Sequence, residues 1–235
     1  MALLACVRWT FKLSSYIITK FSKEGCMSSK EYFNEVADQW DRMRERFFPN
    51  SVREKAVAMA EVQRGSLAAD IGAGSGFVTE ELLRRGARVI AVDESEAMIQ
   101  LMQKKFGFDG SVDYRLGESE HLPLTTAQVD HVFANMYLHH VERPAVAIQE
   151  MARVLKPGGT LVITDLDEHS FEFLRTEQHD RWMGFKRDDV RAWFEQAGLQ
   201  QVTIDCTDDN CCATSAQGQR EAKISIFLAV GRKPL

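Results

Sequence analysis

No stretch of this sequence is apolar for the ~18–20 residues that a membrane span needs. The apolar start, Met1 to Val7, is soon broken by Arg8 and Lys12. It also lacks the order of a secretion signal, which runs from a basic end through an apolar core to a small-residue cleavage site. A basic excess is missing too. Lys and Arg number 29 against 34 Asp and Glu, a formal net charge of −5, which argues against a general nucleic-acid binder. Cysteine is scarce, with five in 235 residues and none between Cys26 and Cys206. An odd, dispersed set is no disulfide framework. The expected setting is the reducing cytoplasm, without stable membrane insertion.

What is present suits one α/β domain with decorations. Residues 1–27 stand apart, with four basic residues (Arg8, Lys12, Lys20, Lys23) and one acid, Glu24. Met27-Ser-Ser reads as a natural start, so these residues are expected to be an extension, loosely ordered or a single peripheral helix. Residues 28–62 read as two N-terminal helices, 63–165 as a ligand-binding core, and 166–235 as an acceptor-side insertion with the last strands.

The core is organised around Leu67-Ala-Ala-Asp-Ile-Gly-Ala-Gly-Ser-Gly-Phe77. An apolar run, Leu67 to Ile71, reads as a buried strand. It meets glycines at alternate positions, Gly72, Gly74 and Gly76, and a helical pattern follows with Val78, Leu82 and Leu83. Glycine at such a turn permits positive φ and close approach of a ligand to the backbone. The following helix presents unpaired N–H groups and a positive dipole end. Dinucleotides and S-adenosylmethionine (SAM) both use this device. The dinucleotide pattern G-x-G-x-x-G would place its third glycine at Phe77. Asp70 would also repel a pyrophosphate there, whereas it would attract the ammonium of a methionine moiety.

Asp70-x-Gly72-x-Gly74-x-Gly76 resembles the signature of class I SAM-dependent methyltransferases. Further segments carry the same resemblance, which covers about residues 30–165. Tyr32-Phe33-x-x-x-Ala37-x-x-Trp40-Asp41 resembles the lid helix that small-molecule methyltransferases place over the SAM pocket. Tyr32 and Trp40 become candidates for cofactor or acceptor contact, or aromatics that pack on the core. The strand Arg88 to Val92 ends in Asp93, about 20 residues beyond the glycine turn and placed to accept from ribose hydroxyls. Asp93-Glu94-Ser95 and Met98 follow the family pattern near the adenine. Gly117-Glu118-Ser119 stands where the family often has Gly-Asp-Ala. The resemblance implies an adenine contact from Glu118 and Ser119, although Glu in place of Asp departs from the pattern.

Asn135-Met136-Tyr-Leu-His139-His140 follows the fourth strand and resembles the segment facing the methyl group. Asn135 and Met136 are then cofactor neighbours. His139 and His140 invite a general-base reading, or they hydrogen-bond locally. Lys156-Pro-Gly-Gly159 is read as a turn into a strand over 160–164, and Asp165, His169 and His179 lie beyond it as further base candidates. The last two strands, 201–205 and 222–230, have no room for a crossover helix between them and should pair antiparallel. The implied architecture is a Rossmann-like, mostly parallel seven-stranded sheet with a terminal antiparallel strand and helices on both faces. It looks closest to the ubiquinone and menaquinone biosynthesis methyltransferase-like group.

The expected activity is methyl transfer from SAM to a small-molecule acceptor by a monomer or homodimer, with no metal. Two other readings stay open. Cys206, Cys211 and Cys212 lie within seven residues and could converge on a soft ion, which would suit an arsenite or thiol methyltransferase. A SAM-binding sensor or assembly protein without turnover would use the same core.

Overall fold

In the computed structural model the described residues are 28–216 and 218–235. The extension read over residues 1–27 lies outside them, as do Cys6 and Cys26. Seven strands form one sheet: β1 (Leu67–Ile71), β2 (Arg88–Asp93), β3 (Val112–Leu116), β4 (Val129–Asn135), β5 (Leu155–Leu166), β6 (Gln200–Thr214) and β7 (Glu221–Arg232). Their order is β3-β2-β1-β4-β5-β7-β6. The first five pair in parallel, and β7 runs antiparallel to both β5 and β6. This is the expected architecture, with the antiparallel strand last in the chain.

The helices are α1 (Ser29–Phe47), α2 (Ser51–Met59), α3 (Phe77–Arg84), α4 (Glu96–Phe106), α5 (Pro144–Val154), α6 (Glu172–Glu177) and α7 (Arg187–Gln196). Strand side chains alternate faces, and both faces of this sheet are covered. Ala68, Val89 and Ala91 pack on one side with Val52, Val78, Leu82 and Met102 from α2, α3 and α4. Ala69, Ile90 and Val92 pack on the other with Ile148, Met151, Val190 and Phe194 from α5 and α7. Burial on both faces is why the inner strands read as unbroken apolar runs rather than alternating ones. Among the described residues no helix is long and apolar enough to cross a membrane.

Two local expectations are corrected. Lys156 to Gly159 is a bulge inside β5, opposite Asp130, rather than a turn before it. The β4–β5 register jumps from Val129↔Leu155 to His131↔Thr160, and Gly158 takes φ +78° there. The cysteine-bearing stretch after 205 is strand, not loop. β7 offers a long apolar and β-branched template, and Asn210 to Thr214 pair with Ser225 to Glu221. The polar residues are absorbed by a bulge between Cys206 and Asn210. There Thr207 donates its hydroxyl to the Ile226 carbonyl at 3.0 Å and accepts from the Asp209 N–H at 3.2 Å. Pairing has outweighed turn propensity, and the reversal is displaced to residues 215–220.

Strand order reverses between β1 and β4. Chains leaving their carboxyl ends diverge there and open a crevice. Helix α1 lies across it. A reciprocal capping box between Ser28 and Glu31 fixes where α1 begins, and Asn34 Oδ1 accepts from the Ser95 hydroxyl at 2.7 Å.

Candidate active site

Two buried carboxylates stand at the strand ends that face the crevice. Asp70, 1% exposed, ends the apolar run of β1. Its Oδ2 accepts from the Thr79 N–H at 2.9 Å and the Thr79 hydroxyl at 2.7 Å. Asp93 ends β2 and accepts from the Gly74 N–H and the Ser95 N–H, both at 2.8 Å. Asp93 thereby ties down the glycine turn, and Asp70 the first turn of α3. Burial pushes Asp70 up to about 6 against the Thr79 bonds that lower it. Burial likewise pushes Asp93 up to about 6, opposed by its backbone donors.

These acids line a cavity together with Gly72, Gly74, Glu94, Met98, Asn135 and Trp40. Eight of the sequence candidates are thus brought together. Gly74 lies under Trp40, where a Cβ would stand 3.6 Å from the indole nitrogen. Gly76 serves differently. It caps α3 at φ +85° and faces Phe106, whose ring a Cβ would meet at 2.3 Å. Its role is packing rather than lining. Glu118 is exposed and Ser119 is buried, and neither lines the cavity. The ring of Tyr137 covers Gly72, where a Cβ would stand only 2.2 Å away. Of the expected adenine-side residues, Glu94 and Met98 line this cavity and Glu118 and Ser119 do not.

Sequence reasoning missed Arg44. This buried arginine lines the same cavity, with its guanidinium carbon 4.3 Å from the centre of the Phe77 ring. Its Nε and Nη1 are buried without a hydrogen-bond partner. Buried donors left open are costly, and they suit a carboxylate arriving with a ligand. The donor set fits SAM: open guanidinium nitrogens for the methionine carboxylate, buried acids for its cationic groups, and a strand-end carboxylate at the ribose position. The signal in the sequence was an arginine four residues after Trp40, on the same face of α1.

A second cavity adjoins the first and shares Phe33, Trp40, Phe48, Met136 and His140 with it. Tyr32 lies here rather than in the first cavity, and its hydroxyl donates to Gln178 Oε1 at 3.0 Å. His139 and Asp180 also line it. Asp165 stands behind His139, fully buried, with Oδ1 2.7 Å from His139 Nδ1 and Oδ2 3.3 Å from the His139 N–H. Burial works against charge on His139, but Asp165 and Asp180 together outweigh it and hold the imidazole up to about 9. Burial and the charge of His139 push His140 well below its ordinary value. The His140 Nδ1 lies 3.3 Å from the Ser29 hydroxyl and 3.4 Å from the His179 carbonyl. His169 is off the cavity, accepting from the Phe171 N–H at 3.3 Å. His139, His140 and Asp180 bring three ligand-type atoms within 4.8 Å of one another.

The three sulfurs do not converge. Strand alternation turns Cys211 inward to the second cavity and Cys212 outward, and Cys206 is exposed beyond the bulge. Burial pushes the Cys211 thiol up to about 12, so it stays protonated.

Comparison with known proteins places this geometry. Residues 69–163 match the family described as methyltransferase domain. The demethylmenaquinone methyltransferase of Thermobifida fusca is 31% identical over 186 residues, 75% of this chain and 72% of that protein. The chain belongs to the SAM-dependent methyltransferase family. Its methyl donor is SAM. The methyltransferase is also 34% identical to the biotin biosynthesis bifunctional protein BioHC of Cellvibrio japonicus over 139 residues. That match covers 58% of this chain but spans only 27% of the longer relative. Its fold is similar, at a TM-score of 0.71 and 23% identity, to the protein solved with the Trm112 methyltransferase activator of Haloferax volcanii. The likeness covers 86% of this chain and 98% of the other.

Two outcomes are expected from the first cavity. Arg44→Met weakens SAM binding about 10- to 100-fold by calorimetry, since charge-assisted bonds of about 1.5–3 kcal/mol are removed; unchanged affinity would show that Arg44 does not reach the ligand. SAM affinity falls as pH drops through about 6, because protonated Asp70 and Asp93 no longer attract a cationic ligand. A titration series between pH 5 and 8 checks the sign.

Proposed function

We propose that the methyltransferase carries the methyl group of SAM from the first cavity to a small apolar acceptor held in the second. The observation that carries this reading is the shared wall of Phe33, Trp40, Phe48, Met136 and His140 between the two spaces. In this assignment Asp70 holds the methionine ammonium, Arg44 its carboxylate and Asp93 the ribose. The positive sulfur already makes the methyl group a good electrophile, so the protein contributes positioning and the exclusion of water. Aromatic residues of α1 supply that exclusion: Phe33 meets Trp40 edge-on at 5.0 Å and His140 at 5.1 Å.

The apolar lining, with Leu166, Leu174, Phe47 and Ala213 beside the aromatics, supports an acceptor with a hydrophobic body. The relative from Thermobifida fusca is named for a menaquinone precursor, which is consistent with such a body. Divergent sulfurs and a protonated Cys211 give the arsenite and thiol reading no support. The setting that suits this chemistry is the cytoplasm.

Transfer from methyl-labelled SAM to a panel tests the reading: a quinol, an amine, a simple thiol, and arsenite with glutathione. The expected result is label on an apolar ring-bearing acceptor and none on arsenic. Label confined to arsenic or thiol would overturn the assignment of the second cavity. SAM bound without transfer to any acceptor would favour a sensor.

A further inference from the structure

The two edges of the sheet are built differently. At one edge β6 is interrupted twice, with register shifts between Gln200 and Thr203 and between Cys206 and Asn210. Bulges of this kind blunt an edge against pairing with another chain. At the other edge β3 pairs with β2 in unbroken register, from Val89↔Val112 to Asp93↔Leu116. Its residues, Val112-Asp-Tyr-Arg-Leu116, include no proline and no lysine. Its outer side pairs with no strand among the described residues. Two large hydrophobic side chains stand open to solvent at this edge: Leu116, 57% exposed, and Phe108, 78% exposed. The Phe108 ring lies 6.0 Å from that of Tyr114.

The ladder fixes which backbone groups are open. The Val89 N–H donates to the Ser111 carbonyl at 2.9 Å, and the Gly117 N–H donates to the Asp93 carbonyl at 3.0 Å. Residues 111 and 117 thus turn these groups toward β2, and strand alternation does the same for Asp113 and Arg115. The N–H and C=O groups of Val112, Tyr114 and Leu116 point outward. A second β3, laid antiparallel about a two-fold axis at Tyr114, satisfies all three residues. Tyr114 meets the partner subunit's Tyr114, and Val112 meets the partner subunit's Leu116, as hydrogen-bonded pairs. Asp113 then falls opposite the partner subunit's Arg115 as a non-hydrogen-bonded pair, the arrangement in which facing side chains come closest.

The order of charges selects a second copy of this chain as the occupant. Reversed about Tyr114, Asp113 and Arg115 exchange places, so each acid meets a base. A parallel copy brings like charges alongside one another. We propose that two copies join through β3 in this way, so that their sheets run on as one across an isologous interface. Within one strand Arg115 Nη2 already lies 2.6 Å from Asp113 Oδ2. Across the axis the two pairs close into a ring of alternating charges on one face, and Leu116 and Phe108 supply an apolar flank at each end.

Sedimentation velocity of the full chain over an about hundredfold range of concentration tests the proposal. A dimer is expected. Arg115→Asp sets acid against acid at both symmetry-related positions and is expected to raise the dissociation constant at least about 10-fold. Exchanging the residues, Asp113→Arg together with Arg115→Asp, keeps the complementarity and is expected to return the constant to within about threefold. Arg115 Nη1 also donates to the Pro123 carbonyl at 2.6 Å, so Leu116→Pro gives an independent reading. It removes one outward N–H, leaves the bonds to β2 in place and is expected to weaken association in the same direction. SAM affinity within about twofold of the parent's identifies the variants that have folded. A monomer throughout the range, a dimer indifferent to Arg115→Asp and Leu116→Pro, or a folded exchange variant that does not recover association overturns the proposal. So does a full chain that dimerises only once residues 1–27 are removed, because that segment would then be the occupant of the edge.

Discussion

The structure depends on two carboxylates buried at neighbouring strand ends. A carboxylate in such a place must be paid for, and here backbone does most of it. Asp93 fastens the glycine turn by accepting the Gly74 N–H, and Asp70 fastens the first turn of α3 through Thr79. The turn cannot relax away from β2 without taking one of the two backbone donors from Asp93, nor α3 from β1 without orphaning Asp70. This fixes the floor of the first cavity before any ligand arrives. The compensation is partial, which is why burial still lifts both acids to about 6. A ligand bringing positive charge completes it, so the same residues that shape the floor also select what lies on it.

The acceptor side is built on the same plan with a different outcome. Asp165, at the carboxyl end of β5, is buried and spends its oxygens on His139 and on the Leu166 N–H, the last at 2.7 Å. The segment after β5 folds back over that pair, and the His139 carbonyl accepts from both the Arg181 and Trp182 N–H groups at 3.0 Å. This return brings Asp180 opposite His139 across the cavity. Gly184 makes the return possible. Its φ is +69°, and a Cβ there would stand 2.2 Å from the Asp167 carbonyl oxygen. Any side chain would strain this crossing and displace the wall that carries Asp180.

Much of this was legible in the sequence, and the reasons are local. β1, β2 and β4 are short strands with Asp70, Asp93 and Asn135 at or next to their carboxyl ends, so strand, turn and candidate residue are contiguous. The fold and the floor of the first cavity follow from such contiguous signals. What was not legible depends on distant chain. Asp180 is one of many acids in a polar stretch until β5 and α7 place it beside His139. Tyr137 offered no sign that its ring would lie over the glycine turn, because that depends on the missing side chain of Gly72. The cysteines read as a cluster because they are close in sequence. Strand alternation then set Cys211 and Cys212 on opposite faces, which a loop would not have done.

The central claim is that the two cavities are one reaction path, with the methyl group crossing at Met136 and His140. A crystal structure with S-adenosylhomocysteine tests it most directly. The account predicts the thioether sulfur at that shared wall, facing the second cavity, with the amino-acid end of the ligand against Arg44 and Asp70. A sulfur turned away from the second cavity, or a ligand whose amino-acid end leaves Arg44 unpaired, would contradict it.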